Sequence, residues 1–418
     1  MNPLRQSVQT TRARSRALAF TLAVSALLAS THQLAAEPGV RDAARESMLP
    51  APLRVGPARQ FTRPSDAARV ARDGDIIEID AGVYDGDAAV WKQHNLTIRG
   101  IGGRAHLRAS GADAEGKAIW VIKGDNATLE SMEFSGATVP DRNGAGIRLE
   151  GAGLTLRDCY FHHNENGLLS GPRPESEVLI EHSEFAYNGF GDGYSHNIYI
   201  GGGSLTVRFS YLHHANVGHN LKSRARRNQI TYNRIMDETD GNSSYAIDLP
   251  NGGLAYVIGN VIQQGPATQN STVVAFGAEG YKHAVSELYF VNNTVVNDLP
   301  AGGRFVFVRA GAGVARLVNN VFSGPGEVAS GPAELRNNLL AGKAGFVDPA
   351  GFDYRLRDGA PAIGAGIEPG LAGGVDLRPY AEYAHPLQQR ARRNSGALDL
   401  GALEYQRGLH QGPGANGK

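Results

Sequence analysis

A short strand, a polar residue and a second short strand recur along the chain, most often at steps of 23 to 27 residues, with one step of 33. Identical turns of a stacked solenoid lie about 4.8 Å apart, so a small polar side chain at each bend can hydrogen-bond the next coil. The repeat therefore predicts a ladder of such side chains. Its positions are Ser131, Asp158, Ser183, Ser210, Asn233, Asn260, Asn293, Asn320 and Asn338.

The segments between these positions contain no helix-length stretch, which excludes parallel strands joined by crossover helices. The sequence thus predicts an all-β fold, a parallel β-helix whose core is built by stacking neighbouring coils. Residues 65–75 carry an N-cap Ser65 and apolar residues at helical spacing. We expect them to form a helix that covers the N-terminal edge of the solenoid.

A second set of short strands begins each coil, as in "HNIYI" from His196 and "HNLKS" from His219. Alternation of period two places Ile198 and Leu221 in the core. His196 and His219 share the inward parity, which favours stacked structural histidines. The same alternation directs seven polar residues outward: Arg148, Asn197, Tyr199, Asn220, Lys222, Arg224 and Asp248.

The N-terminus has the pattern of an export signal over residues 1–36. A basic "RARSR" precedes the apolar "ALAFTLAVSALLAS", and small residues allow cleavage after Ala36. The apolar run is short for a bilayer span, so we expect a secreted or periplasmic protein. The formal net charge of zero gives no bulk field for nucleic acid or an anionic membrane. Cys159 is the single cysteine, which excludes an internal disulfide and predicts a buried thiol.

These features together resemble the right-handed parallel β-helix proteins of the pectate-lyase-like superfamily. The residues that carry the resemblance are "PSDAARVARDGDIIEIDAGVYDG", the ladder coils, and "FDYRLRDGAPAIGAG" with "GALDLGALEY" near the end. The resemblance implies a right-handed β-helix catalytic domain over residues 37–345. Residues 346–418 would form an irregular C-terminal capping segment of the same domain.

Within that superfamily, "HNIYI" and "HNLKSRA" are most similar to β-helix alginate lyases, in which a Lys and a Tyr on neighbouring coils act on a uronate ring. The resemblance identifies Tyr199 and Lys222 as the catalytic candidates. It implies a secreted lyase for an anionic polysaccharide, alginate or polymannuronate first and glucuronan next. The calcium-binding acidic constellation of typical pectate lyases is not apparent in the sequence, which disfavours a galacturonate substrate.

β-Elimination needs a group that neutralises the C6 carboxylate, a base for the C5 proton and an acid for the departing O4. We expect Lys222 to be the base and Tyr199 the acid, or the reverse, with positive neighbours favouring the neutral amine. Asp248 would orient Lys222 from the next coil. The residues expected to bind the substrate carboxylate are Asn197, Asn220, Arg148 and Arg224, with His219 as a substitute.

Three other functions remain open at this stage. A uronate C5-epimerase shares the proton abstraction, a glycan-binding β-helix needs no acid–base pair, and a hydrolase needs clustered carboxylates. A calcium site is also considered in an acidic loop that contains Asp237, Glu238, Asp240 and Asp248. These residues lack the regular spacing of calcium ligands, so a solvated loop is favoured. We therefore expect that the protein requires no metal or other cofactor. We also expect it to be a monomer.

Overall fold

The computed structural model describes residues 51–406 except 343, 394 and 395, and the predicted signal segment lies outside these residues. The described residues form one compact unit. That unit is the predicted parallel β-solenoid: strands of successive coils pair in parallel, and the sheets run along the length of the molecule.

The coils contribute strands to three columns, which we call the first, second and third columns. The first column is a sheet of ten strands within the described residues. Its strands are Ala89–Trp91, Ala118–Ile122, Ala145–Leu149, Asn166–Ser170, Ile198–Ile200, Leu221–Ser223, Ile247–Leu249, Thr272–Phe276, Arg304–Val308 and Glu327–Ser330.

The second and third columns join into one larger sheet through two long strands, Ile76–Asp85 and Thr97–Arg108. The other strands of the second column are Leu53–Val55, Ala127–Glu130, Leu154–Arg157, Glu177–Glu181, Ser204–Arg208, Arg227–Thr231, Leu254–Ile258, Glu287–Val291, Val314–Val318 and Glu334–Arg336. Those of the third column are Met132–Ser135, Tyr160–His162, Glu184–Ala186, Tyr211–His213, Arg234–Met236, Val261–Gln264, Thr294–Asn297, Val321–Ser323 and Leu339–Ala341.

The core consists of side chains that stack on the same side chains of the next coil. Phe134, Phe161 and Phe185 have ring centroids 5.0 and 4.6 Å apart and are fully buried. Parallel stacking of this kind follows from the coil repeat, because equivalent positions lie one above another. The thiol of Cys159 is buried in this core, as predicted, and burial raises its pKa to about 12.

The predicted ladder runs along one bend of the solenoid. Each Asn donates its amide to the side-chain oxygen of the next, at 3.0 Å from Asn233 to Asn260 and 2.8 Å from Asn320 to Asn338. Two predicted members are wrong by one residue. Ser131 and Asp158 each lie one residue before the ladder position. Both have positive φ, and their side chains hydrogen-bond each other at 2.8 Å.

The N-terminal helix is shorter than predicted and starts earlier, at Pro64–Val70 with Arg63 as its N-cap. Pro fits the first helical position because its φ is preset and no N–H is needed there. Ser65 is consequently inside the helix, and its backbone N–H donates to Asp87 Oδ2 at 3.0 Å. No helix in the part of the chain that is described is long and apolar enough to cross a bilayer.

The C-terminal segment does not only cap the last coil. Its described residues form three antiparallel hairpins and turn back along the flank of the second and third columns. Backbone carbonyls of this segment accept hydrogen bonds from His182, Tyr256 and Asn292 at 2.8 to 3.1 Å. The hairpin strands are Phe346–Asp348 with Asp353–Leu356, Leu371–Ala372 with Val375–Asp376, and Ala381–Ala384 with Gln388–Ala391.

Candidate active site

The outer face of the first column carries Tyr199, Lys222 and Asp248 on three consecutive coils. Tyr199 is the Cα partner of Lys222, and Lys222 is the partner of Asp248. Because the register is direct, the three side chains leave the sheet side by side. Lys222 Nζ lies 3.4 Å from Asp248 Oδ2, as the predicted orienting role of Asp248 requires.

Lys222 has a second acidic neighbour that the sequence did not predict. Glu279 lies in the loop after strand Thr272–Phe276, and its Oε1 is 3.2 Å from Lys222 Nζ. Glu279 also forms an ion pair with Arg224 at 2.7 Å, and a hydrogen bond from Arg224 is the main cause that lowers the pKa of Glu279. Lys222 therefore has acidic neighbours on two sides.

Arg224 is fixed against Tyr199. Its Nε donates to the Tyr199 phenol oxygen at 2.8 Å, and its Nη1 donates to Asn251 Oδ1 at 2.7 Å. These two hydrogen bonds fix the position of the guanidinium and of the phenol oxygen in the site.

Arg148 differs from the other two cations of this face. It lies two coils before Tyr199 in the same column, with Leu169 between them. Its Nε is buried without a hydrogen-bond partner, and no acidic partner reaches its guanidinium in the described part of the chain. This cation is available for an anion from outside.

These residues line one cavity of about 480 Å³. The cavity lining includes Arg148, Tyr199, Lys222 and Arg224, the apolar Leu169, and a tyrosine that is 86% exposed, Tyr194. A cavity with an apolar face, exposed aromatic edge and convergent cations is suited to an anionic sugar.

His196 and His219 stack on each other at a centroid distance of 4.5 Å. His196 lines the cavity, and its Nδ1 accepts the backbone N–H of His219 at 3.1 Å, which leaves Nε2 to carry the proton. Burial lowers the pKa of His219 to about 3, with Lys222 adding to the effect, so its imidazole is neutral. His219 Nε2 lies 3.5 Å from Asp248 Oδ2, and burial raises the pKa of Asp248 to about 6.

The outward placement predicted for Asn197 and Asn220 is wrong, because both side chains are fully buried. They belong to a second ladder at the bend that precedes the first column. Asn188 donates to Asn197 at 2.8 Å, Asn197 to Asn220 at 2.8 Å, and Asn220 to Asp237 at 3.2 Å. Strand Ile198–Ile200 starts only after Asn197, so the period-two alternation does not extend to that residue.

The four acids considered for calcium are held by different partners. Asp237 accepts hydrogen bonds from Asn220 and Ser243 inside the second ladder. Glu238 accepts from Tyr211, Asp240 from His214 at 3.1 Å, and Asp248 pairs with Lys222. Among the described residues these acids form no cluster with the spacing of metal ligands.

Sequence reasoning missed Glu279, Asn251 and the exposed edge at Tyr194. Glu279 and Asn251 lie in loops just beyond first-column strands, outside the aligned repeat. The one usable signal was their position, because loops that follow successive strands of a parallel column lie near each other.

Comparisons with known proteins agree with this architecture. Residues 82–340 match the family model described as a right handed beta helix region. The chain belongs to this family. No curated protein sequence matches it.

Among solved structures, pectate lyase Pel9A is similar with a TM-score of 0.57 at 14% identity, covering 86% of this chain and 98% of that one. An alginate lyase from Paenibacillus sp. str. FPU-7 gives 0.46 at 15% identity, covering 66% and 95%. The A-module of the Azotobacter vinelandii mannuronan C-5 epimerase AlgE6 gives 0.35 at 15%, covering 66% and 93%. At these identities the likeness to Pel9A concerns the fold.

Proposed function

We propose that the protein is a secreted lyase that cleaves a uronate polysaccharide by β-elimination without a metal ion. The observation that carries the proposal is the pair of Tyr199 and Lys222 on adjacent coils of one cavity, next to the unpaired cation of Arg148. The likeness in fold to a pectate lyase supports the class of reaction.

Arg148 binds the C6 carboxylate of the sugar in this proposal. Charge neutralisation there makes the C5 proton acidic and stabilises the enolate-like anion that forms when the proton leaves. Arg148 suits this role because it has no acidic partner among the residues described, whereas Lys222 and Arg224 are each held by Glu279. Leu169, between Arg148 and Tyr199, offers an apolar surface for the sugar ring.

Tyr199 acts as the base and Lys222 as the acid, the reverse of the assignment preferred from sequence. Tyr199, positioned by the hydrogen bond from Arg224, takes the C5 proton as the base. The electron pair of the C5–H bond forms the C4–C5 double bond as the C4–O4 bond breaks. Lys222, positioned by Asp248 and Glu279, gives a proton to O4.

The positions of Tyr199 and Lys222 on one side of the substrate favour mannuronate, with glucuronate next. Tyr199 and Lys222 leave the same face of one sheet on neighbouring coils and so approach the sugar from one side. In mannuronate and glucuronate the C5 proton and O4 depart from the same face of the ring. In guluronate and galacturonate they depart from opposite faces, which requires groups on both sides of the chain.

A glycosidase would use two carboxyl groups that reach the sugar. Asp248 and Glu279 both lie near Lys222, but the Asp248 side chain is only 4% exposed. Its position supports an orienting role instead.

The test is incubation of the purified protein with mannuronate-rich alginate, guluronate-rich alginate, glucuronan and polygalacturonate. We expect ultraviolet absorbance from the new C4–C5 double bond on the first substrate, with weaker or no signal on the second and fourth. No rise on any uronan rejects the lyase. A changed epimer ratio without cleavage identifies an epimerase, and binding alone identifies a glycan binder.

Variants test the assignment. Tyr199→Phe and Lys222→Met should each reduce turnover by roughly a thousandfold or more. Tyr289→Phe and Lys92→Met are matched controls outside the cavity and should retain full activity. A chelator should leave turnover unchanged. If the Tyr199 and Lys222 variants both remain active, the catalytic site lies elsewhere in the protein.

A further inference from the structure

A cluster of three side chains on the third column is unrelated to the cavity. His106 Nδ1 lies 3.4 Å from Glu133 Oε1, and His162 Nε2 lies 3.1 Å from the same oxygen. One ligand atom from each of the three residues lies within 4.8 Å of the other two. The three come from consecutive coils, in strands Thr97–Arg108, Met132–Ser135 and Tyr160–His162.

The spacing of these atoms matches a tetrahedral metal site. Zinc–nitrogen and zinc–oxygen bonds of about 2.0–2.1 Å place neighbouring ligand atoms of a tetrahedron roughly 3.3 Å apart. The two distances to Glu133 Oε1 are 3.1 and 3.4 Å. Both pairs therefore have the separation of neighbouring ligand atoms in a tetrahedral site, and the ligand atoms of the two histidines lie within 4.8 Å of each other.

The ring nitrogens on the opposite side of both imidazoles are also held. His106 Nε2 hydrogen-bonds Ser135 Oγ at 2.7 Å, and His162 Nδ1 hydrogen-bonds His163 Nδ1 at 2.8 Å. If these outer nitrogens carry the protons, His106 Nδ1 and His162 Nε2 present lone pairs toward Glu133. Metal-binding histidines are oriented by such outer hydrogen bonds.

We propose that His106, Glu133 and His162 bind a divalent transition-metal ion, with zinc as the best fit. Two imidazoles and one carboxylate suit zinc, whereas calcium and magnesium require oxygen ligands. The three side chains are 19, 23 and 17% exposed, so a fourth position is open to water. The ion links three coils and stabilises the N-terminal part of the solenoid.

The chain contains an internal comparison for this site. Glu184 and His213, 3.1 Å apart, repeat the arrangement of Glu133 and His162 two coils further on. At the position equivalent to His106, this second set has Tyr160. The second set therefore offers two of the three ligands, and we expect it to bind the metal weakly.

The experiment uses the full protein, freed of any affinity tag and stripped with a chelator. Calorimetric titration with Zn²⁺ and the visible absorption of added Co²⁺ report binding, and thermal unfolding reports stabilisation. We expect one strong site per chain, tetrahedral Co²⁺ absorption and a higher Tm with Zn²⁺.

His106→Tyr copies the second set onto the first, and His162→Ala removes another ligand. Each should weaken Zn²⁺ binding by roughly a hundredfold or more, while far-ultraviolet circular dichroism shows an intact fold. The matched control, His213→Ala, should bind as the unmodified protein does.

Absence of saturable binding overturns the proposal, as does unchanged affinity in His106→Tyr. Loss of binding only in His213→Ala also overturns it by assigning the metal to the second set. All readouts are taken without polysaccharide, so failure of the lyase assay does not affect this outcome.

Discussion

Lys222 lies between two carboxylates that differ in their surroundings. Asp248 is buried, which raises its pKa to about 6, whereas Glu279 is half exposed and hydrogen-bonded to Arg224, which lowers its pKa. Only Asp248 therefore changes charge near neutral pH. As the pH falls through about 6, Asp248 becomes neutral and its attraction for the Lys222 ammonium is lost.

We expect Asp248→Asn to lower turnover while increasing stability. A carboxyl with a raised pKa in the folded state costs stability as the pH rises from its unfolded value through about 6. The amide removes this cost, so unfolding free energy should rise by about 1–3 kcal/mol at pH 8. The gain should nearly vanish at pH 4. Turnover should fall roughly tenfold or more, because Lys222 loses its buried partner.

Urea titrations at the two pH values measure this stability, and the absorbance assay measures turnover. A loss of stability at pH 8, or full turnover in the variant, would contradict the orienting role of Asp248.

Arg148→Ala should lower kcat as well as raise KM, with little effect on stability. The guanidinium makes no ion pair with any described residue, so its removal breaks no internal contact of that kind. The lost charged hydrogen bonds to substrate are worth about 1.5–3 kcal/mol, roughly ten- to a hundredfold in kcat/KM. The control is Arg173→Ala, on an exposed turn outside the cavity. Unchanged kcat/KM would exclude Arg148 from the substrate site.

At the scale of the coil, two ladders of buried side chains occupy two different bends. The first was predictable, because its members repeat in the same place between two strands. The second was not, because Asn188 and Asn197 are only nine residues apart, whereas Asn197 and Asn220 are 23 apart. Loops of unequal length conceal the periodicity of that bend, although the buried amides stack as regularly as those of the first.

Asn220→Ala should therefore reduce stability instead of substrate affinity. The side chain donates to Asp237 and Ser243 and accepts from Asn197, and the substitution leaves buried polar atoms unpaired. We expect a loss of about 2–4 kcal/mol in unfolding free energy, with KM unchanged. Asn216→Ala, at an exposed position of the same loop, is the control. If Asn220→Ala raises KM and leaves the unfolding free energy unchanged, Asn220 belongs to the substrate site after all.

The sequence predicted the members of the site that lie within strands. Tyr199, Lys222 and Asp248 follow the period-two pattern, which a paired strand enforces. The sequence did not reveal Glu279, because a loop residue 57 positions from Lys222 has no fixed direction until the fold is known. That contact adds a negative neighbour to Lys222, whereas the sequence indicated only the positive neighbours Arg224 and Arg148 and the acid Asp248.

At the scale of the whole molecule, burial makes the protein sensitive to acid. Burial lowers the pKa of six histidines within the described residues: His106, His163, His196, His213, His219 and His385. Burial raises the pKa of three acids: Asp237, Asp248 and Glu404. The unfolded chain gains protons on these histidines below about pH 6.5, whereas the folded chain gains them only at lower pH, so stability should fall as the pH decreases.

With a chelator present, we expect Tm to decrease steadily from pH 7 to pH 4. The three acids whose pKa is raised oppose this decrease in stability, but they are fewer than the six histidines. His219→Asn should flatten the dependence, because the folded pKa of His219 is about 3. A Tm that stays constant or rises toward pH 4 would contradict the expectation.

The return of the C-terminal segment along the flank affects how the molecule unfolds. Coils of a solenoid contact only their neighbours, so an isolated stack can lose its coils one at a time. Here the segment bonds to His182, Tyr256 and Asn292. Tyr256 and Asn292 lie on adjacent coils, whereas the coil of His182 does not pair with either of them. Opening any of these coils releases contacts shared with the others, which makes the stack melt as one cooperative unit. In urea, fluorescence of Trp91 and Trp120 in the first coils should coincide with circular dichroism for the full chain, and separate for a chain ending at residue 345.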